Sequence, residues 1–412
     1  MKKKKKLKKT NQFYFNFLIF LFIFLLPTQL GKFFFFPFSY ISGIRIDYLA
    51  YAIYTTDILA IFLIGLNIKK ILNFFKNRTV FSVFTLLTLS LFFSFSIQIA
   101  FYKLLKILEV LSLFVVFRNI KINKNLIISA LLSSTLIQVF LSLFHVINRS
   151  SIQSFFYYLG ERYISSSMPG IAKASLNGVE IMRPYGTFSH PNSMAGFYLL
   201  IYSFVLGLNF KKNQIIKNVL LLLFSFLILI SFSKSAIFSL LIVNIIYVII
   251  SYRKSICKFC TVARTFILFF LSLVFFFAKT DPLSILKRTQ LIENSILLIE
   301  KYPLTGVGLG NYLVAQDSII TRSLFLIPQP VHNIFLLLIT EVGIFLGLGI
   351  LYLVFKFFYE FKNIYSLVFC FCAILITGSL DHYWITLQQN LLLLATIGGL
   401  ITNSRVDFEK FD

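Results

Sequence analysis

The chain alternates between apolar runs of membrane-crossing length and short clusters of Lys and Arg. A helix that crosses a hydrocarbon core needs about 20 mostly apolar residues. Runs of that kind recur near 13–30, 48–68, 79–99, 103–118, 126–146, 191–209, 217–232, 235–252, 262–279, 332–355, 363–380 and 384–402. The expected fold is therefore all-α: a polytopic membrane protein with about twelve transmembrane helices, and a long external loop between spans nine and ten. Only 13% of residues are charged and mean hydropathy is +0.86, against about 25% charged in a soluble domain.

The net charge of +24 would suggest a nucleic-acid partner in a soluble protein. Here the positive-inside rule accounts for it, and no nucleic acid is expected. With the first loop placed inside, 25 of the 39 Lys and Arg fall in loops on the cytoplasmic side. They include Lys2 to Lys6 with Lys8 and Lys9, then Arg253, Lys254, Lys258, Arg405 and Lys410. The run Phe13 to Leu30 lacks a small-residue cleavage site and reads as an anchor. The organisation predicted is a basic cytoplasmic N-terminus (1–12), an N-terminal transmembrane bundle (13–146), an external loop (147–190), central helices (191–279), a long external loop (280–331), C-terminal helices (332–402) and a cytoplasmic tail (403–412). Cys257-x-x-Cys260 has no second pair to complete a zinc site, and Cys370 and Cys372 lie in an apolar run. No metal site and no cofactor are expected.

Long loops in a membrane protein are usually functional, and each of these two ends in a His at the mouth of a span. The first runs out through Arg183-Pro-Tyr-Gly-Thr-Phe-Ser-His-Pro-Asn192. Pro191 suits a first helical turn, with Ser189 or His190 as cap. The N–H groups of that helix start favour an anion, and Arg183 adds a planar fork suited to phosphate oxygens. Ser231-Phe-Ser-Lys-Ser235 is a short outer turn that carries Lys234. The second loop holds Arg288 and Pro303-Leu-Thr-Gly-Val-Gly-Leu-Gly310-Asn311. Its G-x-G-x-G spacing fails the dinucleotide fingerprint, so the glycines read as a tight turn approaching a ligand or helix. Pro330-Val-His-Asn333 opens the span that contains Glu341. His332 is a natural general base. Glu341 lies roughly 13 Å deeper and out of phase, so it should bond another helix. Asp381-His382-Tyr383 forms the last outer turn. No Asp-x-Asp and no closely spaced pair of outer carboxylates appears, which disfavours metal-dependent transfer from a nucleotide sugar and glycosidase chemistry.

In their order, Arg183 to Asn192, Ser233-Lys234, Arg288, Pro303 to Gly310, and His332-Asn333 through Glu341-Val-Gly343 resemble the O-antigen ligase/polymerase family. The resemblance covers roughly residues 180–400 and departs at Lys234, where the family more often has Arg. It implies a metal-independent, inverting membrane glycosyltransferase at the outer face of the inner membrane. The donor would be a glycan on undecaprenyl pyrophosphate, and the acceptor a hydroxyl of a glycan or of lipid A–core. On that reading His332 is the base. Arg183, Arg288 and Lys234 hold pyrophosphate, with His190, Asn333, Asp381 and His382 as further site candidates. Ligation is favoured over polymerisation of lipid-linked repeats, with transfer to protein as a third activity the resemblance leaves open. A polysaccharide or lipid transporter is the rival class, for which Asp57 and Glu109 are the embedded charges.

Overall fold

The structure is a computed structural model that describes residues 2–208, 210, 213–252, 258–279, 283–319 and 327–403. Lys211, Lys212, Arg253, Lys254, Cys257, Arg405 and Lys410 lie outside the described residues, as does the tail from 404 onward. The described residues are dominated by α-helices, with three small two-stranded antiparallel sheets. Each predicted apolar run contains a helix, but several runs are broken. The expected 332–355 span is two helices, Ile334–Val342 and Ile344–Glu360, and the 384–402 span is Tyr383–Thr386 followed by Gln388–Ile401. Among the described residues, Lys124–Asn148 is the one helix long and apolar enough to cross a membrane unaided. Thr55–Leu66 with Ile68–Phe75, bent by 83°, would make a second. Shorter apolar helices include Gln214–Ile230, Tyr365–Gly378 and Gln388–Ile401.

Pro191–Gly207 is the hub. All its residues but Asn192 and Gly207 are buried, as expected of a helix that is apolar on every face. It packs against Gln214–Ile230, Tyr365–Gly378, Gln388–Ile401 and Lys234–Tyr252. Its few polar groups are paired inside the core: Ser193 Oγ donates to Asn390 Oδ1 at 2.6 Å and Tyr202 Oη to Asn244 Oδ1 at 2.7 Å. Satisfied polar pairs of this kind fix which helices meet.

The segments expected outside the membrane form a second layer with its own core. The 280–331 stretch is not a plain loop. It carries helices Ser284–Lys301 and Tyr312–Asp317, and these bury Leu291, Leu298, Tyr312 and Leu313 against Ile41, Ile46 and Leu49 of the first outer segment. The glycine-rich turn is the joint between the layers. Gly306, Gly308 and Gly310 all have positive φ, and each marks a close crossing. A Cβ would meet the Glu341 carbonyl at Gly306, Ser94 at Gly308 and the Lys103 stem at Gly310, all at 2.5 Å or less. The N–H groups of Val307 and Gly308 donate to the carbonyls of Thr340 and Glu341 at 2.9 and 2.8 Å, satisfying the free end of Ile334–Val342. The Ile344 N–H donates to Pro303 O at 2.8 Å, so the turn fills the helix break at Gly343. The Glu341 carboxylate faces the backbone N–H groups of Gly310 and Tyr312. It thus serves the start of the Tyr312 helix and not His332.

Candidate active site

Four segments distant in sequence meet at one mouth. The first is the Arg183–Asn192 turn into the hub helix. Its backbone is held from behind by Gln138, which donates to Thr187 Oγ1 at 2.8 Å and accepts from the Thr187 N–H at 3.1 Å. His145 and Glu161, both fully buried and 2.8 Å apart, brace it further, because His145 Nδ1 lies 3.4 Å from the Tyr185 N–H. Arg183 is 8% exposed, and burial brings its guanidinium down to about 10, still a cation at neutral pH. Its Nε donates to Ser231 O at 2.7 Å and its Nη2 to Asn192 Oδ1 at 2.6 Å. The Ser231–Ser235 turn therefore reaches the site through a carbonyl.

Asn192 passes the connection on. Its Nδ2 donates to Asp381 Oδ2 at 2.9 Å, and Asp381 Oδ1 accepts the His382 backbone N–H at 2.8 Å. His332 Nδ1 stands 3.4 Å from the same Oδ1. Burial alone would raise the Asp381 carboxyl, but His332, His382 and Arg288 more than offset it and hold it well below the ordinary carboxylate range. The His332 and His382 rings lie 4.9 Å apart. The Thr386 hydroxyl donates to His382 O at 3.0 Å, so its oxygen accepts the His382 Nδ1–H at 2.7 Å. That leaves His382 Nε2 as a bare lone pair. Burial is the largest influence on this imidazole and pushes it down to about 3, opposed by Asp381 and reinforced by His332, Arg288 and Lys103.

The remaining candidates divide. His190 caps the hub helix, its Nδ1 accepting the Asn192 N–H at 3.1 Å, and it is close enough to feel Arg183, Asp381, His332 and His382. Asn333 caps the next helix, its Oδ1 accepting from Phe335 and Leu336 at 2.9 and 3.0 Å. Arg288, on Ser284–Lys301, acts electrostatically on Asp381, His382 and Arg183. Among the described residues nothing bonds its guanidinium. Lys234 is exposed and stands 5.9 Å from the Phe276 ring, with no bond to the cluster among the described residues.

Three contributors were not singled out from sequence. Tyr48 sets its ring edge-on to His382 at 5.6 Å. Thr386 sets the His382 tautomer. Lys103, counted as the start of a span, faces the mouth.

The segment that supplies the Ser231 turn, Arg288, the glycine-rich joint and His332 is recognisable by family. Residues 219–351 match the family described as O-antigen ligase. This segment is an O-antigen ligase family domain. Arg183, Asn192 and Asp381 lie outside the match and join it only through the fold. Proteins of the O-antigen ligase family are integral membrane proteins, and the exposed Phe, Leu and Ile of helices such as Val262–Phe276 suit a lipid surround. No curated protein matches the chain.

Proposed function

We propose that this chain is a membrane glycosyltransferase of the ligase kind, transferring a glycan from undecaprenyl pyrophosphate to an acceptor hydroxyl at the outer face of the inner membrane. The observation that carries the reading is the Asp381–His332 pair set among unneutralised cations. Asp381 Oδ1 stands at ion-pair distance, 3.4 Å, from His332 Nδ1, which has no hydrogen bond, and Nε2 lies 3.2 Å from Oε1 of the exposed Gln329 side chain. An acceptor O–H arriving there gives its proton to Nε2 while its oxygen attacks the anomeric carbon. The bond from that carbon to the phosphate oxygen breaks, and pyrophosphate leaves with the electron pair. Attack from the face opposite the leaving group inverts the centre. Arg288 and the remaining N–H groups of Arg183 supply charge for the pyrophosphate as it departs.

His332, Asp381 and His382 also bring ligand atoms within 4.8 Å of one another, a spacing that would hold a metal ion. Each Asp381 oxygen already has a protein partner, while His382 Nε2 is free, so sensitivity to a chelator separates a hydrogen-bonded base from a metal centre. The embedded charges of the transporter reading are partnered too. Asp57 and Glu109 both bind Lys106, at 2.5 and 3.3 Å, and Gln388 donates to Asp57.

The purified chain in proteoliposomes, given a radiolabelled lipid-linked glycan and lipid A–core, should form labelled lipid A–core and continue to do so in a strong chelator. Elongated lipid-linked glycan would mark a polymerase. Flux without any new glycosidic bond would overturn the reading. Chelator-sensitive transfer, restored by added metal, would replace the free base with a metal centre.

The topology we infer is about twelve crossings, with 147–190 and 280–331 outside. Reporters fused after Gly310 and after Lys258 should then report opposite sides of the membrane, and matching sides would refute it.

A further inference from the structure

Helix Ile97–Asn119 carries Lys103 and Lys106 one turn apart, on neighbouring positions of one face. Their surroundings differ. Lys106 Nζ is neutralised by Asp57 and Glu109. Lys103 has, among the described residues, neither a carboxylate at ion-pair distance nor a hydrogen bond. Glu341, the acid whose charge reaches it, is turned to the N–H groups of Gly310 and Tyr312.

Lys103 is held in place, not left to wander. The start of its helix is clamped by Asn311, whose Oδ1 accepts the Ser96 N–H at 2.8 Å and whose Nδ2 donates to Ser96 O at 3.2 Å. Its stem crosses Gly310 so closely that a Cβ there would lie 2.5 Å from Cγ and 3.1 Å from Cε. The half-buried ammonium is near enough for its charge to act on His382. A partly buried cation without a carboxylate at ion-pair distance is unfavourable, and Arg183 and Arg288 add the same sign against two carboxylates, Asp381 and the Glu341 group whose charge reaches Lys103. Among the described residues the excess is positive, and it lies beside His382.

We propose that Lys103 is a further contact for the diphosphate of the lipid-linked donor. This rests on the glycosyl-transfer reading above and deepens it. A diphosphate oxygen is a small, dense anion that an ammonium binds as a point charge. The mouth would then grip the leaving group from two sides, through Arg288 on the outer helix and Lys103 on the N-terminal bundle.

The test uses the full chain in nanodiscs, with undecaprenyl diphosphate and neutral undecaprenol as probes. K103M keeps the stem across Gly310 and removes the charge. It should weaken undecaprenyl diphosphate about tenfold, the scale of one charge-assisted hydrogen bond, and leave undecaprenol unchanged. K103R should stay within about threefold of wild type on the same scale. Without lipid, K103M should be at least as stable to heat as wild type, because it deletes an uncompensated cation. Undiminished diphosphate binding by K103M, with R288Q clearly weakened, would overturn the role of Lys103 and leave the glycosyl-transfer reading standing. A K103M protein that loses stability without lipid would also overturn it, by making Lys103 a structural residue. A wild-type protein that binds undecaprenol as tightly as the diphosphate would overturn both.

Discussion

His332→Ala should lower glycan transfer by about 10²–10⁴-fold, the range for loss of a positioned general base, with the affinity for donor lipid close to normal. The competing account is structural: a His at a helix mouth can serve as its cap. The geometry separates the two. Asn333, one residue on, is the cap, its Oδ1 accepting the Phe335 and Leu336 N–H groups. Its Nδ2 also ties the helix to Ser379 O at 3.3 Å. His332 is thereby released from capping, and its ring is turned to Asp381 on one side and Gln329 on the other. His332→Asn, which keeps hydrogen-bonding capacity but is a poor base, should therefore be as impaired as His332→Ala. Measuring transfer and donor affinity for both variants checks this, and an active Asn variant would remove the base from the mechanism.

The parts of this site legible in the sequence are those with local signals. Pro191 after His190 announces a helix start, and His332-Asn333 announces another, because caps are written within a few neighbouring residues. The glycine spacing was readable as close backbone approach, since three glycines in five residues have few other uses. What each glycine approaches was not readable. Ser94, Lys103 and Glu341 come from three separate segments, a bend and two helices, and their crossing depends on how the two layers dock.

The same limit explains the broken spans. Hydropathy runs continuously from 332 to 355, so it reports one helix. The break at Gly343 exists because Pro303, Val307 and Gly308 supply substitute hydrogen bonds from another segment. Charge was similarly ambiguous. Lys234 and Arg183 both looked like anion ligands by type and position. Yet Lys234 stands exposed near Phe276, and Arg183 is largely engaged by protein acceptors. Lys103 falls within the apolar run at 103–118 because the run stays apolar despite Lys103, Lys106 and Glu109, while its lack of a carboxylate at ion-pair distance appears only in three dimensions.

Arg183→Lys should lower turnover by about 10²-fold, comparable with misplacing a catalytic group by an ångström. The reason is geometric. The guanidinium spans two acceptors at once, Ser231 O through Nε and Asn192 Oδ1 through Nη2. Asn192 then holds Asp381 Oδ2, and Asp381 Oδ1 lies 3.4 Å from His332 Nδ1, close enough to act on the ring electrostatically. An ammonium is a point donor on a flexible stem and cannot hold both acceptors in a fixed plane, so the effect should travel along this line to the base. Asn192→Ala separates positioning from phosphate binding. It leaves the Arg183 charge in place but cuts the line, and it should reproduce much of the loss in turnover with little change in affinity for undecaprenyl diphosphate. The two variants should also be sub-additive, because residues acting through one another do not contribute independently. A fully active Asn192→Ala protein, beside an Arg183→Lys protein impaired mainly in donor affinity, would instead make Arg183 a phosphate ligand whose contacts with Ser231 and Asn192 only hold it in place.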